Sequence, residues 1–193
     1  MACENILKGL SAFDCNTPFG GTTGRVILMN YDDIDRTALT IASGQVTALA
    51  LKSDKKGVAF EGAGNNANIG SFTFTQGTYG GGTYVHQLEL RDFKGGADAY
   101  NFLEGLKQNN VVAIVETKYQ GENGECAYTI YGLNTGMRLS GHEGTTEFSD
   151  GVISTFTLAT DENSPEPMPP INLYKTDYAT TQTLVNSLIN NVE

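Results

Sequence analysis

Tryptophan is absent from the sequence, and cysteine, proline and basic residues are scarce. The 193 residues include three cysteines, five prolines and twelve lysines or arginines against 22 acids, a formal charge of −10. A negative balance of this size repels phosphate backbones, which argues against a protein that grips nucleic acid. The cysteines are odd in number and form no Cys-x-x-Cys pair, which predicts reduced thiols in a reducing compartment.

Long apolar runs are also missing. The longest covers residues 111–115, far short of the ~20 residues that span a bilayer. Residues 1–4 lack the positively charged start of a signal peptide. We therefore expect neither a membrane anchor nor a signal peptide.

Glycine is abundant, with 23 residues and no three-residue period, which indicates many tight turns and a β-rich fold. Alternating or β-branched segments predict strands. These segments are residues 25–30, 38–42, 45–51, 71–75, 84–91, 111–119, 125–131 and 152–160, with weaker signals at 135–141 and 143–150.

The chain is predicted to hold one main domain with an extension at each end. Residues 1–24 read as an irregular arm, and residues 25–160 as a β-rich domain with a helix near 97–108. Residues 161–193 begin with four of the five prolines and are predicted to be a linker followed by a helical tail. That tail has an apolar stripe, which indicates that it packs against another surface. This surface can belong to its own domain or to a neighbouring subunit, and the sequence leaves both alternatives open.

Local signatures of catalysis are weak. His86 falls on the apolar face of a predicted strand, which favours a hydrogen-bonded core histidine, and His142 falls in a loop. Residues 62–67 match a dinucleotide-binding glycine pattern, but a strand rather than a helix follows them. The acidic turn 33–35 lacks the later glycine and glutamate of a calcium loop. We predict no catalytic, metal or cofactor-binding residue and no cofactor.

Acidic residues are concentrated in the second half of the chain. Residues 116–166 contain nine acids against Lys118 and Arg138. The simplest interpretation is a soluble β surface. The functional alternative is a negatively charged surface that a polyanion moves past without binding to it.

The order of parts, together with four sequence segments, carries a family resemblance. The parts are the arm, a β meander, one helix and the 111–119/125–131 hairpin; the segments are CENILKGL at 3–10 with Cys15, RVILMNYDD at 25–33, YGLNTGM at 131–137 and SDG at 149–151. In these the chain resembles tail-tube and tail-ring virion proteins of bacteriophages, especially phages of gut Bacteroidetes such as the crAss-like group.

This resemblance implies a non-enzymatic virion protein, made in the bacterial cytoplasm, with a tail-tube-like β-sandwich or barrel and one flanking helix. Six or more copies would form a ring with an acidic lumen for passing double-stranded DNA, next to neighbouring tail or neck proteins and without membrane insertion. On this basis the lumen candidates are Glu143, Glu147 and Asp150. The candidates for contacts between subunits are Gly77, Tyr79, Gly81, Leu184 and Leu188.

Other functions stay open. The proline segment and helical tail do not match the simple tube pattern, which leaves a terminal ring, head–tail adaptor, collar or capsid decoration role. A second hypothesis is a monomeric β-sandwich that binds glycans or a host surface through Tyr79, Tyr84, Tyr128 and Tyr131. A hydrolase using an acidic pair ranks last, because no compact constellation supports it.

Overall fold

The computed structural model describes residues 21–61, 68–78, 81–92, 96–144 and 154–189, which form two β-sheets and two helices. Strands account for 49% of the structure, so the mainly β prediction is confirmed. The barrel alternative is wrong for the described residues, which form no closed barrel, because the outermost strands of each sheet do not pair with one another.

The elements follow one another as strands with one internal and one late helix. The strands are β1 (Thr22–Asn30), β2 (Thr40–Ala42), β3 (Gln45–Ala48), β4 (Val58–Glu61), β5 (Asn68–Gln76), β6 (Gly82–Asp92), β7 (Val111–Thr117), β8 (Tyr128–Tyr131), β9 (Arg138–Gly144), β10 (Ser154–Ala159) and β11 (Ile171–Leu173). The helices are α1 (Gly96–Gln108) and α2 (Tyr178–Ser187). Neither of these two described helices is long and apolar enough to cross a membrane.

The larger sheet has the order β2-β3-β11-β8-β7-β1-β4. Its most extensively buried strands are the antiparallel neighbours β1 and β7, in which Ile27 lies opposite Ile114. Both strands are apolar on both faces, and residues 111–115 are all buried. A strand of this composition must be covered from both sides, so the larger sheet is the middle layer of the domain.

The smaller sheet has the order β5-β6-β10-β9 and covers one face of the larger one. Along β10, Phe156 and Leu158 are buried while the residues between them are half-buried, the alternation of a sheet with one inward face. These side chains share a core with Val26 and Leu28 of β1. The two sheets therefore pack face to face as a sandwich.

Helix α1 closes one side of this core, and the predicted helix near 97–108 is confirmed. Leu106 is buried, and the ring of Phe102 stacks on Phe60 at 5.7 Å between centroids. Phe156 meets both rings edge-on. This aromatic cluster fixes α1 against β4 and β10.

Helix α2 covers the opposite face of the larger sheet. The Asp177 side chain caps it by accepting a hydrogen bond from the Thr180 N–H. Val185 and Leu188 are buried in a second hydrophobic core, which lies between α2 and the larger sheet. Strand β11 lies inside the larger sheet, between β3 and β8. Residues 161–189 are thus part of the domain rather than a detached linker and tail.

Candidate functional site

The β5–β6 hairpin projects from the body of the sandwich. Its two strands pair continuously from Asn68 opposite Leu90 to Gln76 opposite Gly82, and residues 71–76 of β5 are all exposed. The tip is closed by Gly77, whose N–H donates to the Gly81 carbonyl at 3.2 Å. The contact candidates Gly77 and Gly81 therefore lie at an exposed hairpin tip, whereas Tyr79 lies outside the described residues.

Aromatic side chains cover one face of this hairpin. Phe72 and Phe74 are 52% and 51% exposed, and their ring centroids lie 6.0 and 5.1 Å from that of Tyr84 on β6. We call these three residues the aromatic ladder. A methyl group at Gly82 would stand 2.3 Å from the Phe74 ring, so this glycine is what lets the ring lie flat on the hairpin.

Charge is missing from the outer part of the hairpin and from the sequence segment that precedes it. Residues 62–88 contain no Asp, Glu, Lys, Arg or Pro, in a chain with 34 charged residues. Strand β5 is also the outermost strand of the smaller sheet. Edge strands normally carry charges, prolines or bulges that prevent pairing with another chain. The exposed part of β5 has no charge and no proline, and no other described strand pairs with its outer edge, so this edge is available for pairing with another chain.

The opposite edge of the smaller sheet is β9, which is also largely exposed. The lumen candidate Glu143 lies here, opposite Thr155 of β10, on the outward face of the sheet. The other two lumen candidates, Glu147 and Asp150, lie outside the described residues.

Hydroxyl side chains dominate the outward face of the smaller sheet. The paired registers place on it Ser71, Thr73, Thr75, Thr155 and Thr157. Its described charges are Glu89, which forms a 2.9 Å ion pair with Arg91, together with Arg138 and Glu143. These strand residues balance, two acids against two bases, and Asp161, just beyond β10, adds one acid through a 3.8 Å ion pair with Arg138.

His86 lies at the base of the hairpin and is fully buried, which confirms the prediction of a hydrogen-bonded core histidine. Its Nδ1 accepts a hydrogen bond from the Gly132 N–H at 3.0 Å, and its Nε2 lies 3.0 Å from the Met168 carbonyl. Because Nδ1 is an acceptor, the ring proton is assigned to Nε2. Burial lowers the pKa of His86, while the charge of Glu166 opposes this effect. His142 is exposed.

Glu166 is the buried carboxylate next to this histidine. Its backbone pairs with Tyr84 through two hydrogen bonds of 2.9 Å. Its carboxylate accepts hydrogen bonds from the backbone N–H groups of Asn134 and Thr135 and from both of their side chains. Sequence reasoning missed this residue, because a lone acid between two prolines is typical of a solvated linker.

The three described tyrosines of the glycan-binding hypothesis, Tyr84, Tyr128 and Tyr131, do not form a platform together. Tyr128 is completely buried, and burial raises its pKa. Tyr131 faces inward, with its ring 5.8 Å from that of His86, and burial raises its pKa as well. Only Tyr84 of the described members lies on the projecting hairpin.

Of the two remaining contact candidates, Leu184 lies on α2 and Leu188 directly follows it, and both pack in the core between α2 and the larger sheet of their own domain. Leu188 is only 4% exposed, so its side chain has no area left for a neighbouring subunit. Docking of the helix in its own chain is what the structure shows.

The remaining described surface has a groove but no cluster of side chains for a metal site. A groove of about 180 Å³ lies between α1 and the β1 and β4 strands, with Leu28, Val58 and Phe102 among its lining residues. Among the described residues no cluster of three or more His, Cys, Asp or Glu side chains is arranged to hold a metal ion.

Comparison with known proteins adds no relative: no family model, curated protein or solved structure matches the chain.

Proposed function

We propose that this chain is a non-enzymatic structural subunit that assembles with copies of itself into a ring or tube through the edges of its smaller sheet. The observation that carries the proposal is β5, an edge strand that is exposed from Ser71 to Gln76 and belongs to a 27-residue stretch without charge. Copies with a charge of −10 repel one another. A neutral edge is where that repulsion is weakest.

The strand directions allow such an assembly to close. Each neighbouring pair in the order β5-β6-β10-β9 is antiparallel, so β5 and β9 run in opposite directions. When copies are related by rotation about an axis along the strands, β5 of one copy meets β9 of the next in antiparallel orientation. A head-to-tail contact of this kind forms a ring if the rotation closes. The joined sheet then has no free edges.

The proposed place of this ring is a phage tail, with the outward face of the smaller sheet lining a channel for double-stranded DNA. Phosphate contacts from Lys and Arg create affinity for DNA. On the described outward face, Arg91 forms an ion pair with Glu89, and Arg138 forms one with Asp161. Many of the other side chains on this face carry hydroxyl groups. Glu147 and Asp150 are retained as lumen candidates. Neighbouring tail or neck proteins would contact the ends of the ring.

Sedimentation velocity and negative-stain electron microscopy of the purified chain test the proposal. We expect closed annuli or tubes of at least six copies of the 20.7 kDa chain. Thr73→Lys puts a charge on the exposed edge strand and should leave monomers. Gln87→Lys is the matched control, because it puts the same charge on the same face but on β6, an interior strand, and should still assemble.

Two results would contradict assembly through this edge. One is a wild-type chain that stays monomeric at every accessible concentration and salt level, and the other is a Thr73→Lys variant that assembles like the wild type. A monomer that binds sugars would instead support the glycan-binding hypothesis.

A further inference from the structure

We propose that His86 is a proton switch at the base of the β5–β6 hairpin, so that acidification loosens the hairpin base and disfavours assembly. The switch itself stands on the geometry around His86. Its effect on assembly rests on the proposed function.

The hydrogen bonds of His86 are compatible with one protonation state. Nδ1 accepts from the Gly132 N–H, and Nε2 donates to the Met168 carbonyl, each at 3.0 Å. The imidazolium form carries a proton on both nitrogens and is a donor only. After protonation, the new Nδ1–H of His86 faces the Gly132 N–H. Two donors cannot form a hydrogen bond with each other, so this contact must open.

The contact that opens belongs to a turn that holds the hairpin indirectly. Gly132 begins the 132–136 turn, which Gly136 closes by donating its N–H to the Gly132 carbonyl. Within this turn Asn134 and Thr135 bind the Glu166 carboxylate. Glu166 in turn pairs with Tyr84 of the aromatic ladder. A chain of direct contacts thus links the imidazole to the hairpin.

The surroundings of His86 contain few other titratable groups. Segment 161–170 contributes the Glu166 carboxylate, and β8 contributes Tyr131. Strand β5 places Phe72 opposite His86, and the residue after β10 places the Thr160 hydroxyl on its backbone N–H. The described residues thus supply one opposing charge, that of Glu166.

The direction of the effect follows from linkage. Burial lowers the pKa of His86 in the folded protein, and the charge of Glu166 only partly offsets this. The folded state therefore binds a proton less readily than the unfolded or opened state, whose histidine has an ordinary pKa of about 6.5. Stability is complete above that value and falls as the pH drops below it, down to the folded pKa. The opened population grows by at most about tenfold per pH unit in this window.

Amide hydrogen exchange measured by NMR tests the switch in the monomeric Thr73→Lys variant, where assembly does not interfere. After correction for intrinsic rates, we expect protection at Gly132, Asn134 and Glu166 to fall between about pH 7 and pH 5, in step with the His86 ¹⁵N titration. At about pH 7.5 the ¹⁵N shifts should report the Nε2–H tautomer. The Nδ1–H tautomer, or protection that does not change over this range, would overturn the switch.

Two histidine substitutions complete the test. His86→Gln keeps an acceptor and a donor but cannot be protonated here, so it should abolish the pH dependence of exchange. His142→Gln, at an exposed site, should leave it unchanged. If His86→Gln does not fold, the ¹⁵N titration of His86 in the parent protein decides the question alone.

Assembly is measured separately, by sedimentation of otherwise wild-type protein at about pH 7.5 and pH 5.5. Dissociation at the lower pH in the wild type but not in His86→Gln supports the link to assembly. Rings that persist at both pH values, despite the exchange transition, overturn that link but leave the proposed function standing. A chain that forms no rings at either pH overturns the proposed function. The hydrogen-exchange measurements then decide on their own whether His86 is a proton switch.

Discussion

Gly70 lies directly against the phenol of Tyr131, and a methyl group on Gly70 would stand 2.5 Å from the tyrosine hydroxyl oxygen. Gly70 belongs to β5 of the smaller sheet and Tyr131 to β8 of the larger one, so this contact joins the two layers. Beyond it, from Ser71 onward, every residue of β5 is exposed. The contact therefore marks where the hairpin leaves the body.

Gly70→Ala is expected to destabilise the domain by about 1–3 kcal/mol, because a buried side chain or the β5 backbone must shift to make room. Gly141→Ala is the matched control, since its added methyl group would lie 3.8 Å from Thr157, an ordinary contact distance. Urea unfolding measures both. An equal loss of stability in the two variants would show that the Tyr131 contact is not what limits position 70.

Leu188→Ala is expected to cost about 2–5 kcal/mol, because it empties a site in the second core between α2 and the larger sheet. Thr183→Ala lies on the exposed side of the same helix and should change stability by no more than about 0.5 kcal/mol. Urea unfolding of the monomeric Thr73→Lys background isolates this effect from assembly. A negligible loss for Leu188→Ala would mean that α2 is not docked on its own domain.

Glu166→Gln is expected to cost roughly 1.5–3 kcal/mol, because the amide replaces one acceptor oxygen with a donor facing the Asn134 and Thr135 N–H groups. Glu162→Gln, exposed on the same segment, should be neutral and serves as control. Thermal unfolding with hydrogen exchange at residues 132–136 measures the loss. Unchanged exchange in this turn would show that the Glu166 carboxylate does not hold the turn in place.

Asp177→Asn tests the cap of α2 through its pH dependence. Hydrogen bonds from the Thr180 N–H and hydroxyl lower the pKa of Asp177, so its charged form stabilises the folded state above the ordinary value of about 3.9. That contribution is lost as the pH falls through the lower, folded value. Asn keeps a capping oxygen but no charge.

We therefore expect Asp177→Asn to have a lower Tm than wild type at neutral pH, with the difference shrinking in strong acid. Asp54→Asn is the control, at an exposed turn residue with φ +62° that Asn tolerates. A Tm difference that is independent of pH would rule out the charge as its source.

Local patterns predicted most of the secondary structure. The alternation of His86, Leu88 and Leu90 identified β6 and its buried face, and the apolar spacing around Leu106 identified α1. The predicted strand segments 38–42 and 45–51 contain β2 and β3, which pair across the Ser43-Gly44 turn. These signals are local because each depends only on the period of one strand or helix, or on one turn.

Long-range pairing left no such signal. Ile171–Leu173 is too short to show a period, yet it is held parallel to β3 and antiparallel to β8. Glu166 is buried only because the 132–136 turn, about 30 residues earlier, brings four donor groups to it. On the hairpin, Gly77 and Gly81 stay predictions as subunit contacts, whereas the exposed Phe72 and Phe74 were not singled out as contact residues.

The position of β11 has a consequence for synthesis on the ribosome. Because this strand fills a gap between β3 and β8, the larger sheet stays incomplete until residues 171–173 emerge from the exit tunnel. The β5–β6 hairpin, whose edge we propose to pair between copies, is complete about 80 residues before that point. Nascent chains on the same messenger RNA thus display it before their domains are finished, and a holding chaperone or wide polysome spacing would keep them apart.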